Sequence, residues 1–237
     1  MKLLLCFTLI ISNCAFSQCN LKKSFNNSHV YLTSTNNSQL DKLIFGEKNK
    51  LESLLMLKTK LNISKGTNGL AYPLCSLNNC NGTIELGVDL LKSEYKRPEG
   101  KYFIIGILAH EFAHIIQFES NMNFENTVQQ EIHADIFAGW YLGYYFDKLI
   151  GNNPDRYLPA SDLMYNIKSF KNNLKISFGQ IGDTQYYSVN HHGNFLTRSM
   201  AFHHGIDSYD RGFNNWREVF FRWGKRDASS IINKWNN

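Results

Sequence analysis

Residues 103–116 run Phe-Ile-Ile-Gly-Ile-Leu-Ala-His-Glu-Phe-Ala-His-Ile-Ile, and no other stretch constrains the fold as much. Apolar side chains on nearly every side at helical spacing predict a helix buried all round, with Pro98 in its first turn. Three ionisable residues, His110, Glu111 and His114, break the run. Unpaired charge is costly to bury, so these groups need partners inside the fold. At 3.6 residues per turn His110 and His114 lie about 40° apart on one face, one turn above each other, while Glu111 is about 100° round from His110. Both imidazoles can therefore reach one ion, and Glu111 can approach a water there without entering the ligand set.

A catalytic zinc site takes three protein ligands and keeps one position open. A third histidine on the same helix would stand six residues after His114, where Ser120 lies, and Gln117 holds the place of the glycine that such a pattern needs. The next long helical pattern is the better source. It runs from Val128 to about Leu149, with Thr127 and Gln130 spaced as a capping box. Glu131 and Asp135 fall on one face of it, four residues apart, beside Ala134, Ala138 and Gly139, whose small size allows close helix approach. Glu131 is expected to be the third ligand, and Asp135 to accept the free ring N–H of a metal histidine. His133, about 200° from Glu131, is read as non-ligating, a surface or packing histidine.

The rest of the chain frames this pair of helices. Met1-Lys2, the apolar run Leu3 to Ile11 and the small residues Ala15 and Ser17 read as a signal peptide over residues 1–17, too short to span a bilayer. The protein is thus expected to be exported, to the periplasm or outside the cell, with lipid attachment at Cys19 as a rival. An Asn- and Ser-rich, weakly ordered arm is expected over residues 18–40, and one domain over 41–237. Within it, Leu51, Leu54, Leu55, Leu57 and Leu61 suggest about three helical turns, and residues 70–74 and 83–87 two short strands, with Pro73 favouring an edge. Cys75 and Cys80 bracket a four-residue loop and are the expected disulfide in an oxidising compartment. Further helices are expected at Leu163 to Leu174, Phe195 to His204 and Trp216 to Trp223. The net charge of +5 is spread along the chain, which speaks against nucleic acid as a partner. These elements make an α+β, mainly helical chain, with a small sheet beside the HExxH helix and a second helix carrying the glutamate.

These residues resemble the gluzincin-type zinc peptidases, and more closely the bacterial neutral zinc metallopeptidase family. The resemblance covers about residues 66–206. It rests on His110-Glu111-Phe112-Ala113-His114 with Gln117, on Glu131 to Gly139, on Ile181-Gly182-Asp183, and on His192-Gly193 followed by Arg198, Phe202 and Gly205. It implies a zincin-like fold in which His110, His114 and Glu131 bind Zn2+ and Glu111 is the general base. Through its His-Gly step it also implies that His192 stabilises the oxyanion. Arg198 is the competing donor, or else anchors its loop through a carboxylate such as Asp183. Ile115 and Ile132-His133 depart from the family's usual residues and leave the substrate open.

The expected activity is hydrolysis of peptide bonds in a peptide or protein substrate. The strand around Ile84 to Leu86 is expected to hold an extended peptide by strand addition. Two other readings stay open: a secreted zinc protein that binds or regulates without turnover, and a cell-wall peptidase acting on peptide crosslinks. An intact Glu111 counts against the first, because a structural zinc site has no use for a base and closes with four ligands.

Overall fold

The computed structural model describes residues 31–67, 69–73, 81–151 and 194–236. The signal peptide, Cys19, the Cys75 and Cys80 pair, the helix expected at Leu163 to Leu174, Asp183 and His192 lie outside the described residues.

The architecture is mainly helical with a small mixed sheet, the α+β class expected. Strand β1 (Tyr31–Leu32) leads into helix α1 (Ser38–Leu55), followed by β2 (Thr59–Ser64), β3 (Gly69–Tyr72) and β4 (Gly82–Gly87). Helices α2 (Val88–Tyr95), α3 (Gly100–Glu119) and α4 (Thr127–Gly151) come next. After the undescribed stretch come α5 (Phe195–Asp210), a π-helical segment (Glu218–Gly224) and α6 (Lys225–Asn236). No helix among the described residues is long and apolar enough to cross a membrane.

Local chemistry accounts for the helix ends. Asn37 Oδ1 accepts from the backbone N–H of Gln39 and Leu40, which would otherwise be orphaned at the start of α1. The helix stops at Met56, whose left-handed φ of 58° directs its N–H back to the Glu52 carbonyl. The expected helix therefore ends before Leu57, and Leu61 belongs to β2. Its buried stripe is Leu40, Ile44, Leu51 and Leu55. Helix α4 is capped one residue earlier than expected: Asn126 Oδ1 accepts from Gln129 N–H, and Gln129 Oε1 accepts from Glu125 N–H. Pro98 lies just ahead of α3 and not in its first turn, because α2 takes up residues 88–95 and the chain turns tightly at Gly100. A Cβ at Gly100 would sit 1.6 Å from the Glu94 carbonyl oxygen.

The sheet order is β1-β2-β4-β3. Strands β2 and β4 run parallel with Thr59 opposite Gly82 and Ser64 opposite Gly87, while β1 and β3 are antiparallel to their neighbours. Among the described residues β3, which ends at Tyr72 just before Pro73, thus holds the edge expected of it. Strand β4 does not: hydrogen-bonded to β2 on one side and β3 on the other, it has no edge to offer a peptide.

Helix α3 crosses one face of this sheet and is buried from Phe103 to Gln117, as an all-round apolar sequence requires. Ile107 and Glu111 pack against Gly69, and Ile115 against Gly82. On its other flank α3 meets α4, and α4 in turn packs along α5 at glycine contacts. A Cβ at Gly139 would lie 1.9 Å from the Phe202 carbonyl oxygen, and one at Gly205 would lie 2.0 Å from that of Ile136. This crossing brings the start of α5 over the face of α4 that carries Glu131 and Asp135.

Candidate metal centre

The two motif histidines and the glutamate of the next helix meet at one point. His110 Nε2 and His114 Nε2 are 3.0 Å apart, and Glu131 reaches them with Oε2 at 3.3 Å and Oε1 at 3.4 Å respectively. Ligands about 2.0–2.1 Å from a tetrahedral ion stand roughly 3.3–3.4 Å from one another, so the triangle has the size a small divalent ion requires. All three residues are buried, and the group could hold a metal ion.

Charge points the same way. In this cluster three buried carboxylates, Glu111, Glu131 and Asp135, meet one buried guanidinium, Arg198, among the described residues. Burial alone would lower the pKa of His110, but the Asp135 and Glu131 carboxylates beside it outweigh burial and push it up to about 10. A proton is thus drawn to the place where a cation would sit.

Each metal-facing histidine has its own support. His110 Nδ1 stands 2.9 Å from Asp135 Oδ1, a close charge contact that is not an aligned hydrogen bond. Asp135 is gripped by Arg198, whose Nε donates to Oδ2 and Nη2 to Oδ1, both at 2.8 Å. Burial would raise the Asp135 carboxyl, but the guanidinium outweighs it and holds the group below the usual carboxylate range. Arg198 is therefore the partner of Asp135, and its Nη2 is 4.0 Å from Glu131 Oε2. His114 Nδ1 lies 2.7 Å from Gln117 Oε1. Gln117 Nε2 is 3.0 Å from both the Gln130 carbonyl oxygen and His133 Nδ1, and His133 Nε2 is 2.9 Å from the Phe220 carbonyl oxygen. His133 is thus a packing histidine and not a ligand, walled by the rings of Phe124 and Phe220. Burial pushes its pKa down to about 4, so it is neutral.

Glu111 is buried and stays out of the ligand triangle, as its angular offset on α3 requires. Its carboxylate lies against β3, where a Cβ at Gly69 would stand 2.7 Å from Oε1. Burial raises its pKa, against the pull of His110 and His114. A carboxylate held this way binds a proton more readily than one in water, which suits a group that must accept one and pass it on.

Spacing on single helices set His110, Glu111 and His114 relative to one another on α3, and Glu131 relative to Asp135 on α4; the packing of α3 on α4 brings the two sets together. Spacing did not find the Arg198–Asp135 pair or the Gln117–His133 contact. The one signal for Gln117 was its position three residues after His114, which puts the two side chains within reach on one helix. His192 and Asp183 lie outside the described residues. The chain matches no known protein family, and no curated protein or solved structure matches it.

Proposed function

We propose that the chain is an exported zinc metallopeptidase of zincin-like fold. The observation that carries this reading is the joint placement of a three-atom ligand triangle, His110, His114 and Glu131, and a buried carboxylate, Glu111, beside it and outside it. Among the described residues the donor set is three ligands with a base nearby, the set a catalytic zinc site uses, whereas a structural site closes with four ligands. When bound, the ion supplies the Lewis acidity that activates water and polarises the scissile carbonyl.

The chain's own residues do the rest. Glu111 takes the proton from the attacking water and delivers it to the departing amine nitrogen. Asp135 and Gln117 hold the Nδ1 sides of His110 and His114, which directs the Nε2 atoms toward Glu131. Among the described residues β3 pairs with β4 alone, and Gly69 of β3 abuts Glu111. An extended peptide is thus held along β3, not β4, with its backbone beside the base. A wall crosslink or a protein segment would meet the same groups, and a substrate digest distinguishes them.

The test pairs metal analysis with cleavage of a broad peptide mixture by native protein, Glu111→Gln and Glu131→Ala. The reading expects about one zinc per native chain, retained zinc without turnover in Glu111→Gln, and loss of zinc to a mild chelator in Glu131→Ala. Turnover by a folded, zinc-loaded Glu111→Gln protein would remove the base assignment.

A further inference from the structure

We infer that His133 is a positioning residue for His114, acting through Gln117, and that the Phe220 carbonyl in the π-helical segment sets the direction of the whole hydrogen-bond chain. The inference rests on the metal assignment proposed above and concerns how one of its ligands is prepared.

Two groups at the ends of this hydrogen-bond chain can only accept. The Phe220 carbonyl oxygen, 2.9 Å from His133 Nε2, requires the proton of His133 to be on Nε2. With that proton on Nε2, His133 Nδ1 turns its lone pair to Gln117 and accepts from the amide, 3.0 Å away. The Gln130 carbonyl oxygen, 3.0 Å from the same Gln117 nitrogen, makes the same demand independently. Two acceptors thus fix the amide with Nε2 toward His133 and Oε1 toward His114. At 2.7 Å from that oxygen, His114 Nδ1 must carry the ring proton. Its Nε2 is then the bare lone pair, and it is the atom 3.0 Å from His110 Nε2 and 3.4 Å from Glu131 Oε1. Metal ligation through Nε2 needs that tautomer, and the tautomer of a neutral histidine is set by the hydrogen bond that its other ring nitrogen makes.

The surroundings leave His133 no other choice. It is 1% exposed, and the rings of Phe124 and Phe220 pack on it. Gly224 closes the remaining side: a Cβ there would stand 2.9 Å from both Cδ2 and Nε2 of the imidazole. The π-helical segment therefore does two things for His133. It presents a carbonyl, and it gives up a side chain to let the ring sit against it. π-Helical turns recur at functional sites because they redirect backbone groups in this way.

The test reads the ligand and not turnover. The ¹⁵N shifts of His114 are recorded in metal-free native protein at alkaline pH, and zinc affinity is measured by competition with a chelator for native protein, His133→Leu and His133→Gln. Native His114 is expected to carry its proton on Nδ1. His133→Leu is expected to shift His114 toward the Nε2–H form and to weaken zinc binding by about ten- to a hundredfold. His133→Gln offers one acceptor and one donor in place of the two ring nitrogens and is expected to restore most of the affinity. An Nε2–H His114 in the native protein overturns the inference, even if the leucine variant fails to fold. So does a folded His133→Leu protein with native zinc affinity, or a glutamine variant as weak as leucine. Because the tautomer is read without metal or substrate, a native protein that binds zinc and cleaves nothing would defeat the peptidase reading and leave this result intact.

Discussion

The guanidinium of Arg198 holds both carboxylate oxygens of Asp135 at 2.8 Å, and the same Asp135 stands 2.9 Å from the ring nitrogen of His110 that faces away from the metal triangle. A residue near the start of α5 thus reaches His110 on α3 through a carboxylate on α4. Both members of the pair are buried, Asp135 at 0% exposure and Arg198 at 4%. Removing one charge strands the other. Arg198→Met is expected to cost about 3–5 kcal/mol in urea unfolding of the metal-free protein. Asp135→Asn keeps the shape and is expected to weaken zinc binding by about ten- to a hundredfold. If Arg198→Met left both stability and zinc affinity unchanged, the pair would have no supporting role.

Gly69 tests the placement of Glu111, the proposed base, without touching the proposed metal ligands. A Cβ at this position would meet Glu111 Oε1 at 2.7 Å and Ile107 Cγ2 at 3.5 Å, so the carboxylate must move. Gly69→Ala is expected to lower kcat by about ten- to a hundredfold with zinc content unchanged, the scale of a sub-ångström to one-ångström misplacement. Loss of zinc in this variant would show that β3 supports the metal and not the base.

Glu52 ties the end of α1 to the sheet. Its Oε1 accepts from Lys48 Nζ at 2.7 Å and from the backbone N–H of Thr59 at 2.6 Å. Burial alone would raise its pKa, but these partners outweigh burial and hold it below the ordinary value. A carboxylate whose folded pKa is depressed stabilises the fold above its unfolded pKa of about 4.3, and that contribution disappears as pH falls through the folded value. Glu52→Gln is therefore expected to be less stable than native protein by about 1.5–3 kcal/mol at neutral pH. The difference should shrink on acidification below about pH 4. A gap in urea midpoint that stayed constant from neutral to strongly acidic pH would count against this account.

The crossing of α4 and α5 depends on Gly205. A Cβ there would lie 2.0 Å from the Ile136 carbonyl oxygen and 2.7 Å from Trp140 N, both backbone atoms that cannot swing aside. Gly205→Ala is expected to cost at least the ~1–3 kcal/mol of ordinary overpacking, because the helices must separate. Separation also draws Arg198 from Asp135, so zinc affinity should fall in the same variant. A stable protein of native zinc affinity would show that the crossing has slack.

What the sequence determined by itself is what a single helix determines. A step of four residues from His110 to His114, and another from Glu131 to Asp135, set angles and rises that hold wherever the helices lie, and an apolar run around the histidines requires burial. Pro73 marked an edge strand for a similar local reason, since it has no N–H to give a neighbour. The tertiary structure decided everything that depends on how those elements cross. The sequence offered Arg198 an oxyanion role or a partner in Asp183, and close packing at Gly139 and Gly205 gave it Asp135, 63 residues away. His133 was legible as facing away from Glu131, but nothing local says whether that side meets water or protein. The π-helical segment, 87 residues further on, fills it with a carbonyl. Strand β4 looked available to a peptide until β3 took its free side. Covalent spacing carries angular information over a few residues, whereas contact between distant segments is set by the shapes that must pack together, and no short stretch of sequence contains both shapes.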